Sequence, residues 1–131
     1  MNWPLVIVVV LIAAAGLILL VVMTRRRGLK GAALERIRSA WRHVLEESNP
    51  VLRVVEADKV LDEALRLLGF TGSLGDKLKA AGPRLKNLND IWSAHKLRNK
   101  LMHELNVQPN AGEVDRAIRI YERTLKNLGM K

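Results

Sequence analysis

The chain has 131 residues, of which 49% are hydrophobic, and its 22 basic and 13 acidic side chains give a formal net charge of +9. It contains no cysteine, which excludes a disulfide framework and any thiolate metal site. Every charged residue follows Thr24, so an apolar head and a charged body are read separately. The positive excess permits RNA, a nucleotide or an anionic surface as partner without choosing among them.

From Leu5 to Met23 the chain is uncharged and broken only by Gly16. As a helix this run spans about 28 Å, the thickness of a bilayer's hydrocarbon layer. A cleaved signal peptide would place basic residues before a shorter apolar core and small residues at its end. Here Ala13-Ala14-Ala15-Gly16 lie in the middle, and the run ends in Thr24-Arg25-Arg26-Arg27. The pattern therefore reads as an uncleaved transmembrane anchor, with Trp3 at the far interface. Arg25, Arg26, Arg27 and Lys30 suit anionic lipid headgroups. By the positive-inside bias they place the N-terminus outside and the rest in the cytosol, at an inner membrane. The division expected is an anchor with its basic stop over 1–27, an amphipathic linker helix over 28–50 and a helical domain over 51–131.

In the linker segment, Leu34, Ile37, Trp41, Val44 and Leu45 repeat at helical spacing, and Ser48-Asn49-Pro50 stops the helix. Pro50 then opens a second helix running from Val51 to Leu68, with Gly69 as its stop. Its apolar face is expected to hold Leu52, Val55, Ala57, Val60, Leu61, Ala64, Leu65, Leu67 and Leu68. Glu56, Asp58 and Lys59 lie on one turn. They read either as a charged flank with intrahelical pairs or as the counter-charge of a buried cation elsewhere. Phe70-Thr-Gly-Ser-Leu-Gly-Asp-Lys77 is glycine-rich and could offer amides to a phosphate. It lacks the Gly-Lys-Ser/Thr ending of a P-loop, and no strand precedes it. It reads better as a loop into a short helix over 74–81, with Ser73 and Asp76 forming a capping box.

Asp90 to Leu105 should be one helix, capped by Asn87 or Asn89. Ile91, Ala94, Leu97, Leu101, Met102 and Leu105 form its apolar stripe. Arg98 falls inside that stripe, about 20° from Ile91 at about 100° per residue. A cation there demands a partner or a wet cleft. Trp92, His95, Asn99, His103 and Asn106 make a second, polar stripe. After Val107-Gln-Pro-Asn110, a capping box over Asn110–Glu113 begins a last helix to about Leu128, which buries Val114, Ala117, Ile118, Tyr121, Leu125 and Leu128. No strand pattern survives. The fold class is all-α: a single N-terminal transmembrane helix followed by a small helical bundle.

His95, Asn99 and His103 share a face, but no third strong ligand is patterned with them, so no metal and no other cofactor is expected. Nor is there a nucleophilic-serine signature. An Arg beside a His suits metal-free RNA cleavage: imidazole can take a ribose 2′-OH proton, and guanidinium matches phosphate oxygens. Arg98 and His103, five apart, point about 140° away from each other on one straight helix. Two copies crossing in a symmetric dimer would bring them into one cleft. The plainer alternative is that His103, Asn99 and Trp92 dock on a neighbouring helix or a second copy.

Arg98-Asn99-Lys-Leu-Met-His103 resembles the Arg-Asn…His motif of HEPN domains. The flanking Trp92, Ala94-His95-Lys96 and Glu104 are similar to the family's motif helix. Val55-Glu-Ala-Asp-Lys-Val-Leu-Asp62 and the closing Tyr121–Gly129 segment resemble a branch of small bacterial membrane-anchored proteins, so that the likeness covers about residues 51–129. It implies a helical bundle that dimerises through the Arg98–His103 helix, with both motifs in a shared cleft. It also implies metal-independent endoribonuclease chemistry leaving a 2′,3′-cyclic phosphate. On that likeness Arg98 would stabilise phosphate, Asn99 would support the site and His103 would be the acid/base. Trp92, His95, Lys96, Glu56 and Asp58 would bind substrate or support the site. Some toxin members carry a modifiable Tyr two places after the motif His; here that position is Leu105. Other members are inactive, so the alternative is a non-catalytic, membrane-tethered dimerisation or nucleotide/RNA-binding module.

Overall fold

A computed structural model describes residues 1–25, 27–104 and 106–131. The expectations for the side chains of Arg25 and Arg26 and for Leu105 lie outside the described residues. Among the described residues the chain forms six α-helices and no strand. They are α1 (Trp3–Arg25), α2 (Gly31–Glu46), α3 (Pro50–Leu67), α4 (Leu74–Ala81), α5 (Leu88–His103) and α6 (Ala111–Asn127), with a 3-10 turn over Gly82–Arg84.

The span Trp3–Met23 in α1 is long and apolar enough to cross a membrane, with a hydropathy of 3.5, and the rest of the chain buries none of it. The body is organised on α3, which packs against α2, α4, α5 and α6, while α5 and α6 also pack on each other. This follows from α3's composition. Val54, Ala57, Leu61, Ala64 and Leu65 are all fully buried, and they occupy enough of its circumference to face several neighbours at once. Asn49 caps α3, its Oδ1 accepting from the amides of Val51 and Leu52 at 2.9 and 3.1 Å.

The segment expected as a linker helix contributes to this core. Ile37, Trp41 and Val44 of α2 are 0%, 4% and 1% exposed against α3. Three apolar residues expected in stripes are instead exposed: Leu45 at 52%, Leu52 at 47% and Met102 at 52%. Spacing alone does not set the first and last apart, since Leu45 is only about 40° from Trp41 and Met102 about 20° from Ile91, whereas Leu52 is about 160° from Val54, which is buried in its place.

Several ends differ from expectation. Helix α5 begins at Leu88 and ends at His103, so Asn106 lies beyond it, with φ 63°. Neither Asn caps α5: Asn87 precedes the helix, and its amide Nδ2 donates to Thr124 Oγ1 at 3.2 Å on α6. At α6, Asn110 accepts from the Gly112 amide at 2.8 Å, which is a one-sided cap in place of the expected box. The Ser73–Asp76 box is complete, with both bonds at 3.1 Å. Gly72 precedes it at φ 92°, and a Cβ there would meet Asp76 Oδ2 at 2.8 Å.

The first and last segments of the body are joined. The Leu29 amide donates to Leu128 O at 2.7 Å, and Arg84 Nη2 donates to Arg27 O at 2.7 Å. Gly129, at φ 121°, lies so close that a Cβ would sit 2.9 Å from the Leu29 nitrogen.

If α2 belongs to the cooperative core, Ile37→Ala lowers unfolding stability by about 2–5 kcal/mol. Leu45→Ala, two turns further along α2 and exposed, changes it by no more than about 0.5 kcal/mol. Urea titration of the detergent-solubilised chain measures both. Equal effects would contradict the assignment of α2 to the core.

Candidate functional site

The site is built around a carboxylate. Asp58 lies on the buried face of α3 and is 3% exposed. An isolated carboxylate at that depth is strongly disfavoured, so its oxygens must be met. Tyr121 of α6 donates its hydroxyl to Asp58 Oδ1 at 2.7 Å. His95 Nδ1 of α5 lies 2.9 Å from the same oxygen. Arg98 Nε stands 3.4 Å from Oδ2, an ionic contact without hydrogen-bond alignment, since the Nε finds no such partner. Three helices therefore converge on one side chain. The buried cation demanded by the α5 stripe finds its counter-charge in Asp58, while Glu56 turns away to Lys59 at 2.9 Å.

Arg98 is not used up by this contact. Its Nη1 donates to Asn99 Oδ1 at 2.9 Å, and its Nη2 has no hydrogen-bond partner among the described residues. Its side chain keeps 28% exposure. Arg98, Asn99 and His95 open onto a cleft of about 380 Å³, walled by Asp58, Lys59 and Asp62 of α3 and by Ser73–Gly75 at the start of α4. Trp92 supports the wall: its ring meets His95 edge-on, with centroids 6.0 Å apart, and packs under Gly75. On the α4 side, Lys77 is 4% exposed and pairs with Asp62 at 2.7 Å.

Three residues expected at the site are elsewhere: Glu56, turned to Lys59, lines a groove against α2, and the other two are His103 and Lys96. His103 is the last residue of α5, exposed, outside the cleft and without a partner among the described residues. Lys96 lines a different groove, with Lys100, Glu113 and Arg116 between α5 and α6. Tyr121 was expected only as core, and its hydroxyl proves to be a main ligand of Asp58. A tyrosine inside an apolar stripe needs an acceptor for its O–H, and that requirement is the signal that could have found it. Burial, with the Asp58 charge and hydrogen bond behind it, holds the Tyr121 hydroxyl well above the ordinary phenol range. Among the described residues no three or more His, Asp or Glu side chains gather so as to hold a metal ion. A larger cavity, of about 840 Å³, lies where Gly28–Lys30 meet Arg84 and Leu128, and contains none of these side chains.

What the fold and site define is an all-α body behind an apolar helix, with a carboxylate-anchored Arg/His/Asn cleft. No protein-family model matches the chain, and comparison with curated proteins and with solved structures finds no similar one.

Two outcomes test this network. Asp58→Ala strands Arg98 in the stripe and lowers stability by about 3 kcal/mol, the lower end of the range for a broken buried pair because Arg98 is partly solvated. Tyr121 behaves differently with pH. Its folded pKa is raised above an unfolded value of about 10, so its contribution is complete below that pH and falls as pH rises beyond it. Stability measured from pH 8 to 11 should decline more steeply for the parent than for Tyr121→Phe. Parallel curves would show that this hydroxyl carries no linkage.

Proposed function

We propose that the protein is a single-pass, membrane-anchored HEPN-like protein whose body binds RNA phosphate at the Arg98 cleft and cleaves it without a metal as a homodimer. The observation that carries this reading is Arg98, a residue of the cleft wall: Asp58 holds its Nε end and Asn99 its Nη1, while Nη2 has no hydrogen-bond partner among the described residues. A planar guanidinium held in that way can meet a phosphate oxygen without losing its own order on binding. His103 supplies the acid/base from the second copy, since in a single chain it lies outside the cleft. The body is cytosolic at an inner membrane, because Arg25, Arg26, Arg27 and Lys30 follow α1 directly. Those residues also meet anionic lipid headgroups.

A second reading, a non-catalytic membrane-tethered dimerisation or nucleotide/RNA-binding module, draws on two observations. Asp58 neutralises part of the Arg98 charge, and among the described residues His103 has no partner that would orient it for proton transfer.

The test incubates the full chain in detergent with mixed RNA and EDTA, beside Arg98→Ala and His103→Ala, with mass by light scattering in parallel. The parent should cleave and leave cyclic-phosphate ends, and each variant should be dimeric and inactive. Mixing the two variants should restore about a quarter of parental activity, because half the dimers are mixed and each mixed dimer regains one of two clefts. A dimer that never cleaves would select the second reading. A monomer that neither cleaves nor binds RNA would reject both.

A further inference from the structure

The hydrogen bonds around Asp58 run in one direction. Guanidinium nitrogens only donate, so Asn99 faces Arg98 Nη1 with its oxygen, at 2.9 Å. That leaves the Asn99 amide nitrogen against His95 Nε2, at 3.5 Å. An amide nitrogen also only donates, so Nε2 must present a lone pair. The ring proton is then on Nδ1, where Asp58 Oδ1 accepts it at 2.9 Å. Tyr121 donates to the same oxygen at 2.7 Å and holds the carboxylate from behind. The network sets His95 as the neutral Nδ1–H tautomer with Nε2 as an acceptor on the side of the cleft that His95 lines. The 3.5 Å bond to Asn99 is at the limit of hydrogen bonding, so an incoming hydroxyl can displace it.

The groups around this imidazole are all accounted for. On α3 they are Asp58, with Lys59 and Asp62 along the cleft wall. On α4, Lys77 is tied to Asp62. On α6 there is Tyr121, and on α5 itself Trp92, Arg98 and Asn99. Of these cations, Lys59 is paired with Glu56 and Lys77 with Asp62, while Arg98 shares the imidazole's own carboxylate.

We infer that His95 is the proton acceptor of this cleft, receiving the proton of a hydroxyl adjacent to a phosphate held by Arg98, so that the ligand is a ribose phosphate and not its 2′-deoxy counterpart. This inference rests on the RNA reading of the cleft and adds to it a base from the same chain as the cation. In a phosphodiester, the 2′-hydroxyl gives its proton to His95 Nε2 as its oxygen bonds to phosphorus. The bond from phosphorus to the 5′ oxygen breaks, and that oxygen leaves with a proton from His103 of the second copy, which regains one from water. The 2′,3′-cyclic phosphate keeps the single negative charge, and His95 returns its proton to water. Asp58 is a positioning residue: it sets the tautomer and touches no substrate.

The probes are adenosine 3′-monophosphate, which has no 5′ nucleoside to expel, and 2′-deoxyadenosine 3′-monophosphate. Both are titrated into the full chain in detergent micelles. The parent should bind the ribose form about tenfold more tightly than the deoxy form, the worth of one good hydrogen bond. His95→Gln should equalise the two at the parent's deoxy affinity, and Arg98→Ala should lose both. In the parent, the His95 Nε2 nitrogen resonance should start as an unprotonated acceptor and move on adding the ribose form only; this readout stands even if His95→Gln fails to fold. Equal binding of the two nucleotides by the parent, an unchanged preference in folded His95→Gln, or a protonated Nε2 at the start would overturn the inference and leave the Arg98 reading standing. Binding of neither nucleotide, or unaltered binding by Arg98→Ala, would overturn both.

Discussion

The body of this protein depends on how one buried carboxylate is satisfied. Asp58 sits on the face of α3 that otherwise holds Val54, Ala57, Leu61 and Leu65, and it is left only 3% exposed to solvate its charge. Tyr121, His95 and Arg98 must therefore come to it from two other helices. Apolar packing alone would allow α5 and α6 to slide or rotate against α3 with modest loss. The polar contacts do not, because a one-residue slip of α5 turns His95 and Arg98 about 100° away and leaves the carboxylate bare. The hydrophobic faces hold the helices together, and Asp58 sets their register.

The same constraint separates what the sequence makes legible from what it does not. Helix count and approximate limits follow from apolar spacing and from Pro50, Gly69 and Gly82. The need for a counter-charge is readable from Arg98, a cation within an apolar stripe, and Asp58 was one of two carboxylates on the turn expected to answer it. Which of the two does so is a matter of a 200° difference around α3, settled only when α5 docks. Leu45, Leu52 and Met102 fit their stripes by spacing yet face outward, since stripe width is decided by how many neighbours a helix meets. Asn87 looks like a cap and acts as a tertiary ligand of Thr124, because a local bond and a long-range one compete for the same amide.

The position of His103 illustrates a different limit. Its distance from the cleft follows from the spacing to Arg98, but the ending of α5 at His103 depends on the chain beyond it, where Asn106 takes a left-handed conformation. The polar stripe thus divides. Trp92, His95 and Asn99 form a cleft wall in one chain, and His103 stands alone at the helix end.

The clasp between Leu29 and Leu128 gives the body a mechanical character. The chain leaves the apolar helix α1, passes Arg27 and Leu29, and is at once bonded to the far end of the polypeptide and to Arg84. Arg38 of α2 also donates to the carbonyl of Lys131, which fastens that end a second time. A pull along the chain from α1 therefore reaches the Arg84–Arg27 bond and the Leu29–Leu128 backbone bond before it reaches α2. The clasp makes Gly28–Leu29 the place where a displacement of the preceding chain first meets the body, a few bonds ahead of the polar centre on α3.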